Sequence, residues 1–264
     1  MLFWIPLREL ARLSLKSELY SHIALVPLIS GYFLAARRET ILAEAGTSVL
    51  PGALVAAAAS ILHLIGLSQG PGLGPNDRLS LAIFSFVLFW IGGFVFLYGT
   101  RAFKVGAFPL LFLFFMTPIP SAVIERFIFA LQVASTEVTE VFFRVTGVPV
   151  LREGFVFQLP GLSIEVAKQC SGIRSSIALV LTSIIAGQLF LDSGWRRLVL
   201  VLAIFPVTVF KNGLRIVSLS LLGAYVDPRI LGSELHKSGG IPFFVIGLAL
   251  MVPVLWLLRR KKKD

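Results

Sequence analysis

The stretch Leu198-Val-Leu-Val-Leu-Ala-Ile-Phe-Pro206-Val-Thr-Val-Phe-Lys211-Asn212-Gly-Leu-Arg215-Ile-Val-Ser-Leu-Ser-Leu-Leu-Gly-Ala224 decides the fold. As a helix it would run about 40 Å, enough to cross a hydrocarbon core of about 30 Å. Its only charged side chains are Lys211 and Arg215. Charge inside such a segment is costly and marks function when it occurs. Working outward, further apolar runs stand at Leu19–Ala36, Ser48–Leu67, Leu79–Tyr98, Val105–Thr117, Ser175–Leu191 and Ile241–Leu258. Val105–Thr117 is short, ends in Pro118-Ile119-Pro120 and needs its flanks to cross.

The composition agrees. The chain has 264 residues, of which 56% are hydrophobic and 14% charged, with mean hydropathy +0.89. A soluble domain carries about 25% charge and about 45–50% apolar residues, so this chain would have more apolar surface than it could bury in water. Disorder and a coiled coil are excluded as well. So is a disulfide-stapled domain, because Cys170 is the single cysteine. The expected class is an all-α polytopic membrane protein with seven to eight transmembrane helices, forming a single integral membrane domain over residues 1–264.

The net charge of +10 does not point to nucleic acid. The basic residues lie in short loops and in the tail Arg259-Arg260-Lys261-Lys262-Lys263, where they set orientation against the membrane. Membrane lipids are the expected surroundings. Met1–Lys16 carries Arg8, Glu9, Arg12 and Lys16 within its apolar stretch and has no small-residue cleavage site. Residues 1–18 therefore read as an interfacial amphipathic helix, not a cleaved leader.

Ser121–Val145 has two readings. Phe127, Leu131, Ala134, Val138, Val141 and Val145 recur at helical spacing, with Glu125, Gln132, Thr136, Glu137, Glu140 and Arg144 opposite. Such a helix either lies in the interface or turns its polar face into the bundle. Residues 148–169 then switch to short β-branched or aromatic runs broken by Gly and Pro, which predicts a small β-meander. Free strand edges are not tolerated in hydrocarbon, so the meander must sit at one membrane face. A cytoplasmic basic tail (residues 259–264) puts Ile241–Leu258 starting outside, and with it His236, Cys170 and the meander. Seven or eight spans follow, according to whether Ser121–Val145 crosses.

Three polar positions meet at that outer face. Cys170 precedes Ser171 and Gly172 at the start of a long apolar helix. Helix N-termini favour the reactive thiolate, and their free N–H groups can hold an oxyanion. Taken alone, a single Cys is also a small hydrophobe suited to packing. Arg215 lies about 26 Å along its helix from Leu198, near the outer edge of the core. It is either a snorkelling Arg or, with Lys211 and Asn212 on the same stripe, a residue turned toward the interior. Pro206 lies one turn earlier, where it can kink the helix. His236 can move a proton near neutral pH, or it is an ordinary loop histidine. His22 and His63 read as packing or interface residues. Together, thiolate, fixed cation and proton shuttle are the parts of thiol acyl transfer. No ligand spacing supports a metal, and no cofactor is expected.

On Cys170-Ser-Gly-Ile-Arg174-Ser, Asn212-Gly-Leu-Arg215-Ile and His236 before a final span, the chain resembles the exosortase/archaeosortase family of membrane cysteine transpeptidases. Pro118-Ile-Pro120 and the lead-in from Gly154 to Val166 are similar too. The resemblance implies an integral inner-membrane enzyme that acts on the outer side. Its partners would be exported proteins ending in a motif, one transmembrane helix and a basic cluster, and an unknown surface acceptor. It also implies Cys170 as nucleophile, His236 as acid/base and Arg215 as oxyanion or thiolate stabiliser. Arg174 and Asn212 would be supporting residues, with Ser171 and Lys211 beside them. The rival reading is a small transporter or scaffold with Lys211 and Arg215 lining a pathway, although neither inverted repeats nor paired broken helices stand out.

Overall fold

The computed structural model describes residues 3–68, 72–167, 172–227, 229 and 240–259. The chain divides into two compact units, residues 1–124 and 125–264. In the first, α1 (Trp4–Lys16) is followed by a 3₁₀ segment (Glu18–Ala24), α2 (Val26–Ala36), α3 (Arg38–Ala43), α4 (Val49–Ser68), α5 (Pro75–Val105), α6 (Ala107–Phe112) and a second 3₁₀ segment (Leu113–Met116). Helix α7 (Ser121–Thr146) leads into the second unit. There follow β1 (Leu151–Glu153), β2 (Val156–Leu159), β3 (Leu162–Glu165), α8 (Ile173–Phe190), α9 (Gly194–Leu202), α10 (Ile204–Tyr225) and α11 (Gly240–Arg259).

Six helical segments among the described residues are long and apolar enough to cross a membrane: Glu18–Ala36, Val49–Ser68, Pro75–Val105, Ile173–Phe190, Gly194–Tyr225 and Pro242–Arg259. The bent pair Ala107–Met116 and Ser121–Thr146 makes a seventh if it is one span. With the bent pair counted as one span the total is seven, the lower of the two expected counts. Val105–Thr117 is not a span by itself. Helix α5 ends at Val105, α6 has six residues, and the helical path stops before Pro118-Ile119-Pro120. Proline has no N–H to continue a helix and pushes its predecessor out of the helical region. The freed turn is tied to the start of α5: Asn76 Nδ2 donates to the Ile119 carbonyl at 2.9 Å, and the Ser121 N–H donates to Asp77 Oδ1 at 2.6 Å. Near Pro206 the helical path is interrupted only at Ala203, whose φ/ψ stay helical, and Gly194–Tyr225 forms one candidate span.

Polarity is distributed as lipid demands. Large apolar side chains such as Leu28, Leu54, Trp90, Leu97 and Leu202 lie on the surface, while Ser30, Ser85, Gln132, Ser135, Thr136 and Thr139 are buried. Buried hydroxyls bond to backbone carbonyls, as Ser30 does to Pro109 (2.8 Å), Thr136 to Gln132 (2.8 Å) and Thr139 to Ser135 (2.6 Å). With no water in the hydrocarbon, these internal acceptors are the ones available. Small residues bring α4 and α5 together. A Cβ on Gly52 would stand 2.4 Å from the Phe96 Cα, and one on Gly92 would stand 2.7 Å from the Ala56 backbone nitrogen. Van der Waals contact of this kind drives helix association in lipid. The first unit's core runs along α5 through Ile83, Val87, Ile91 and Val95, with Leu10, Ile23 and Leu110 against it.

Helix α7 buries only part of its expected polar face: Gln132 and Thr136 are inside, whereas Glu125, Glu137 and Arg144 are exposed. Leu131, Gln132, Ser135, Thr136, Thr139 and Phe143 are buried, whereas Phe127, Val141 and Val145 of the apolar stripe are exposed. The expected meander is an antiparallel sheet in the order β1-β2-β3. Gly154 and Gly161 take positive φ at its two turns, the second in the Pro-Gly order of a type II turn. Its inner face packs Phe157 and Leu159 with Phe143, Val166, Ile216 and Val217. Outside that face, Arg152 of β1 bridges two carboxylates of α7, Glu137 at 2.7 Å and Glu140 at 2.6 Å, and Nε donates to the Gly154 carbonyl at 2.9 Å. Glu140 also pairs with Arg144. Together the carboxylates hold the Arg152 guanidinium more firmly protonated than usual.

Arg152→Ala should loosen the sheet selectively. Partly exposed pairs are worth at most about 1 kcal/mol, so amide exchange over residues 151–165 should rise by roughly fivefold while α8 and α10 keep their protection. Equal acceleration in the wild type at high salt would identify the pair's charge as the cause.

Candidate functional site

Helix α10 carries Lys211, Asn212 and Arg215 within a little more than one turn. Lys211 and Asn212 are almost wholly buried, at 2% and 1% exposure, so the stripe faces the protein interior as its spacing suggested. Arg215 is half-buried one turn further along. An ammonium buried in an apolar helix needs partners, and neighbouring helices supply both partner and room. Nζ of Lys211 donates to Ser175 Oγ of α8 at 2.6 Å. A Cβ on Gly247 of α11 would stand 3.1 Å from Lys211 Cδ and 3.0 Å from Leu179 Cδ1, so glycine there leaves space for the lysine stem. A Cβ on Gly213 would meet Val138 of α7 at 2.8 Å. Beside it, Asn212 Nδ2 donates to Ser135 Oγ at 3.0 Å.

The other half of the site is the start of α8. Gly172 caps it in the left-handed conformation, φ 73° and ψ 14°, which glycine adopts without steric cost. Its carbonyl accepts from Ser175 Oγ (2.9 Å), Ser176 Oγ (2.8 Å) and the Ser176 N–H (3.0 Å). Lys211, Ser175 and Gly172 thus form one hydrogen-bonded chain. A Cβ on Gly172 would stand 3.3 Å from Asn212 Oδ1 and 3.5 Å from Lys211 Nζ. The corner that follows Cys170 and Ser171 in sequence therefore rests on the two polar residues that precede Arg215.

On the far side of the segment holding Cys170, the strand is held as well. Gln132 Nε2 of α7 donates to the Val166 carbonyl just after β3 at 2.6 Å, and the Val166 N–H donates to the Phe155 carbonyl at 2.8 Å.

Of the expected site residues, the structure brings Lys211 and Asn212 to the Gly172 corner. It leaves Arg174 exposed on the first turn of α8. Cys170, Ser171 and His236 lie outside the described residues. Sequence reasoning placed Gln132 on a polar helix face without a role, and gave no role to Ser175, Ser135 or Gly247. The two serines were readable as polar residues, but nothing in the sequence marked Gly247 as the neighbour of a lysine. Among the described residues no three His, Cys, Asp or Glu side chains gather as a metal would require.

Comparison with known proteins gives one match: the profile of the family described as transmembrane exosortase (Exosortase_EpsH) covers residues 13–253. No curated protein and no solved structure matches the chain.

Gly172→Ala should destabilise the second unit. A non-glycine residue in the left-handed region costs about 1–2 kcal/mol, and the added methyl presses on Asn212. Gly31→Ala, where a Cβ meets nothing within 4 Å, should be neutral or slightly stabilising inside its helix. Thermal unfolding of both variants in detergent separates the two outcomes.

Proposed function

The chain belongs to the transmembrane exosortase family, and on that premise we propose that it is a membrane-embedded cysteine protease and transpeptidase. It removes C-terminal sorting signals from exported proteins on the outer side of the cytoplasmic membrane. The observation that supports this reading best is the contact of Gly172 with Lys211 and Asn212. Two peptide units separate Cys170 from Gly172, a reach of at most about 7 Å. Arg215 lies one helical turn beyond Lys211. Sulfur and guanidinium therefore start from stretches that already touch.

The substrate's own transmembrane helix lies in the bilayer beside the protein and sets the depth of the scissile bond. The Cys170 thiolate attacks the peptide carbonyl carbon. Arg215 and the free N–H groups at the start of α8 receive the charge that develops on the oxygen, where one preorganised donor is worth about 2.7–4 kcal/mol. As the C–N bond breaks, His236 gives its proton to the leaving amine, and the acyl group stays on sulfur as a thioester. An acceptor amine or water attacks that thioester and surrenders a proton to His236. The new acyl product leaves, and the thiolate is restored. The buried cation Lys211 favours the thiolate by proximity and, through Ser175, holds the Gly172 corner.

The test uses a tagged exported protein bearing a short motif, one apolar helix and a basic cluster, expressed with and without this chain. Mass spectrometry of its mature C-terminus should show loss of the helix with the wild type and an intact signal with Cys170→Ala. Full processing by Cys170→Ala would refute the nucleophile assignment. Arg215→Lys should slow processing about 10²- to 10³-fold, because an ammonium does not reproduce the planar guanidinium fork. Ser175→Ala breaks the chain from Lys211 but keeps its charge, so it should slow processing less than Lys211→Met does. A membrane-impermeant maleimide added to intact cells should label Cys170.

A further inference from the structure

A second place in the molecule has the makings of a binding site, and it lies wholly within the first unit. A cavity of about 350 Å³ opens between α1, the end of α4 and the start of α5. Ile5, Pro6 and Glu9 line it from α1, His63 and Leu67 from α4, and Arg78 from α5. His63 is 2% exposed, and its Nδ1 has no hydrogen-bond partner among the described residues. A buried polar atom left in this way is destabilising until a partner satisfies it. The ring is held in place by Phe3, whose centroid lies 4.6 Å away. Glu9 and Arg78 are both exposed, and neither forms an ion pair among the described residues.

The depths of these groups are ordered. Helix α4 ends at Ser68 and α5 begins at Pro75, so the closed end of this hairpin marks one membrane face. Arg78 lies about 5 Å in from the start of α5, and His63 about 7.5 Å in from the end of α4. The polar zone on each side of a bilayer is roughly 5–7 Å thick. Arg78 and the amphipathic helix with Glu9 therefore stand at the level of lipid headgroups, and His63 at the level of the ester carbonyls.

We propose that this cavity binds an aminophospholipid of the bilayer, with its phosphodiester on Arg78, its ammonium on Glu9 and an ester carbonyl accepting a hydrogen bond from Nδ1 of His63. The charge pattern selects among lipids. A headgroup with no cation leaves Glu9 facing the phosphate. A quaternary ammonium carries no N–H to donate to the carboxylate. A primary ammonium satisfies both. The site draws on none of the residues of the proposed sorting reaction and stands or falls separately from it.

The experiment reconstitutes the full chain in nanodiscs with equal parts phosphatidylethanolamine, phosphatidylcholine and phosphatidylglycerol. Lipid retained after transfer to detergent is then counted by native mass spectrometry. The wild type should keep phosphatidylethanolamine over either of the others by about tenfold. Glu9→Gln should erase the preference over phosphatidylglycerol, Arg78→Gln should weaken retention of all phospholipids, and His63→Phe, which keeps the ring contact with Phe3, should shorten retention. Equal retention of the three lipids, retention of none, or a preference unchanged in Glu9→Gln and Arg78→Gln would overturn the proposal. Both of those side chains are exposed, so the two variants decide the matter even if His63→Phe fails to fold.

Discussion

The second unit is organised around one buried ammonium. Lys211 sits in a helix that is otherwise fit for lipid, and a charge there is stable only where other elements bring oxygen to it and leave it room. Ser175 supplies the oxygen, Gly247 leaves the room, and Gly172 closes the corner beside it. Three helices converge on a single cation, and two of them do so at glycine, where any larger side chain would hold the backbones apart. Asn212, its neighbour in sequence, extends the same arrangement to a fourth helix through Ser135.

That arrangement depends on α7 presenting polarity inward. In water, a helix with an apolar stripe and a polar stripe buries the apolar one. In lipid the preference reverses, and Gln132, Ser135, Thr136 and Thr139 go inside while Phe127 and Val145 stay out. The same helix then serves two purposes. Its buried face reaches Asn212 and the end of β3, and its charged flank, through Glu137 and Glu140, catches Arg152 of the sheet.

Much of the fold was readable from sequence because lipid leaves few alternatives. Six apolar runs became six helical segments with boundaries close to those expected, and the Gly- and Pro-punctuated stretch after Val148 became the three-stranded sheet. The inward stripe of Lys211 and Asn212 was readable from spacing. What was not readable shares one cause: helical periodicity tells which residues share a face, but not which neighbour the face meets. For this reason α7 kept two readings, and the pairing of Lys211 with Ser175, or of Gly247 with the lysine stem, could not be found in advance. The short run after Val105 failed differently. Hydropathy alone favoured a span there, while the close spacing of Gly106 and the Pro118-Ile-Pro120 triplet had already divided it.

The hydrogen bond from Gln132 to the Val166 carbonyl has a mechanical consequence. Val166 is moored at one end of the segment, Gly172 is moored at the other, and only five residues connect them, Cys170 among them. Chain length alone then limits how far Cys170 can stand from either mooring. One inserted residue would add about 3.4 Å of slack, comparable to the separation at which a nucleophile meets its target. The hairpin turn at Gly154, by contrast, holds no candidate site residue, although its carbonyl accepts from Arg152. Evolution and engineering alike should find the length of this connection far less forgiving than the length of that turn.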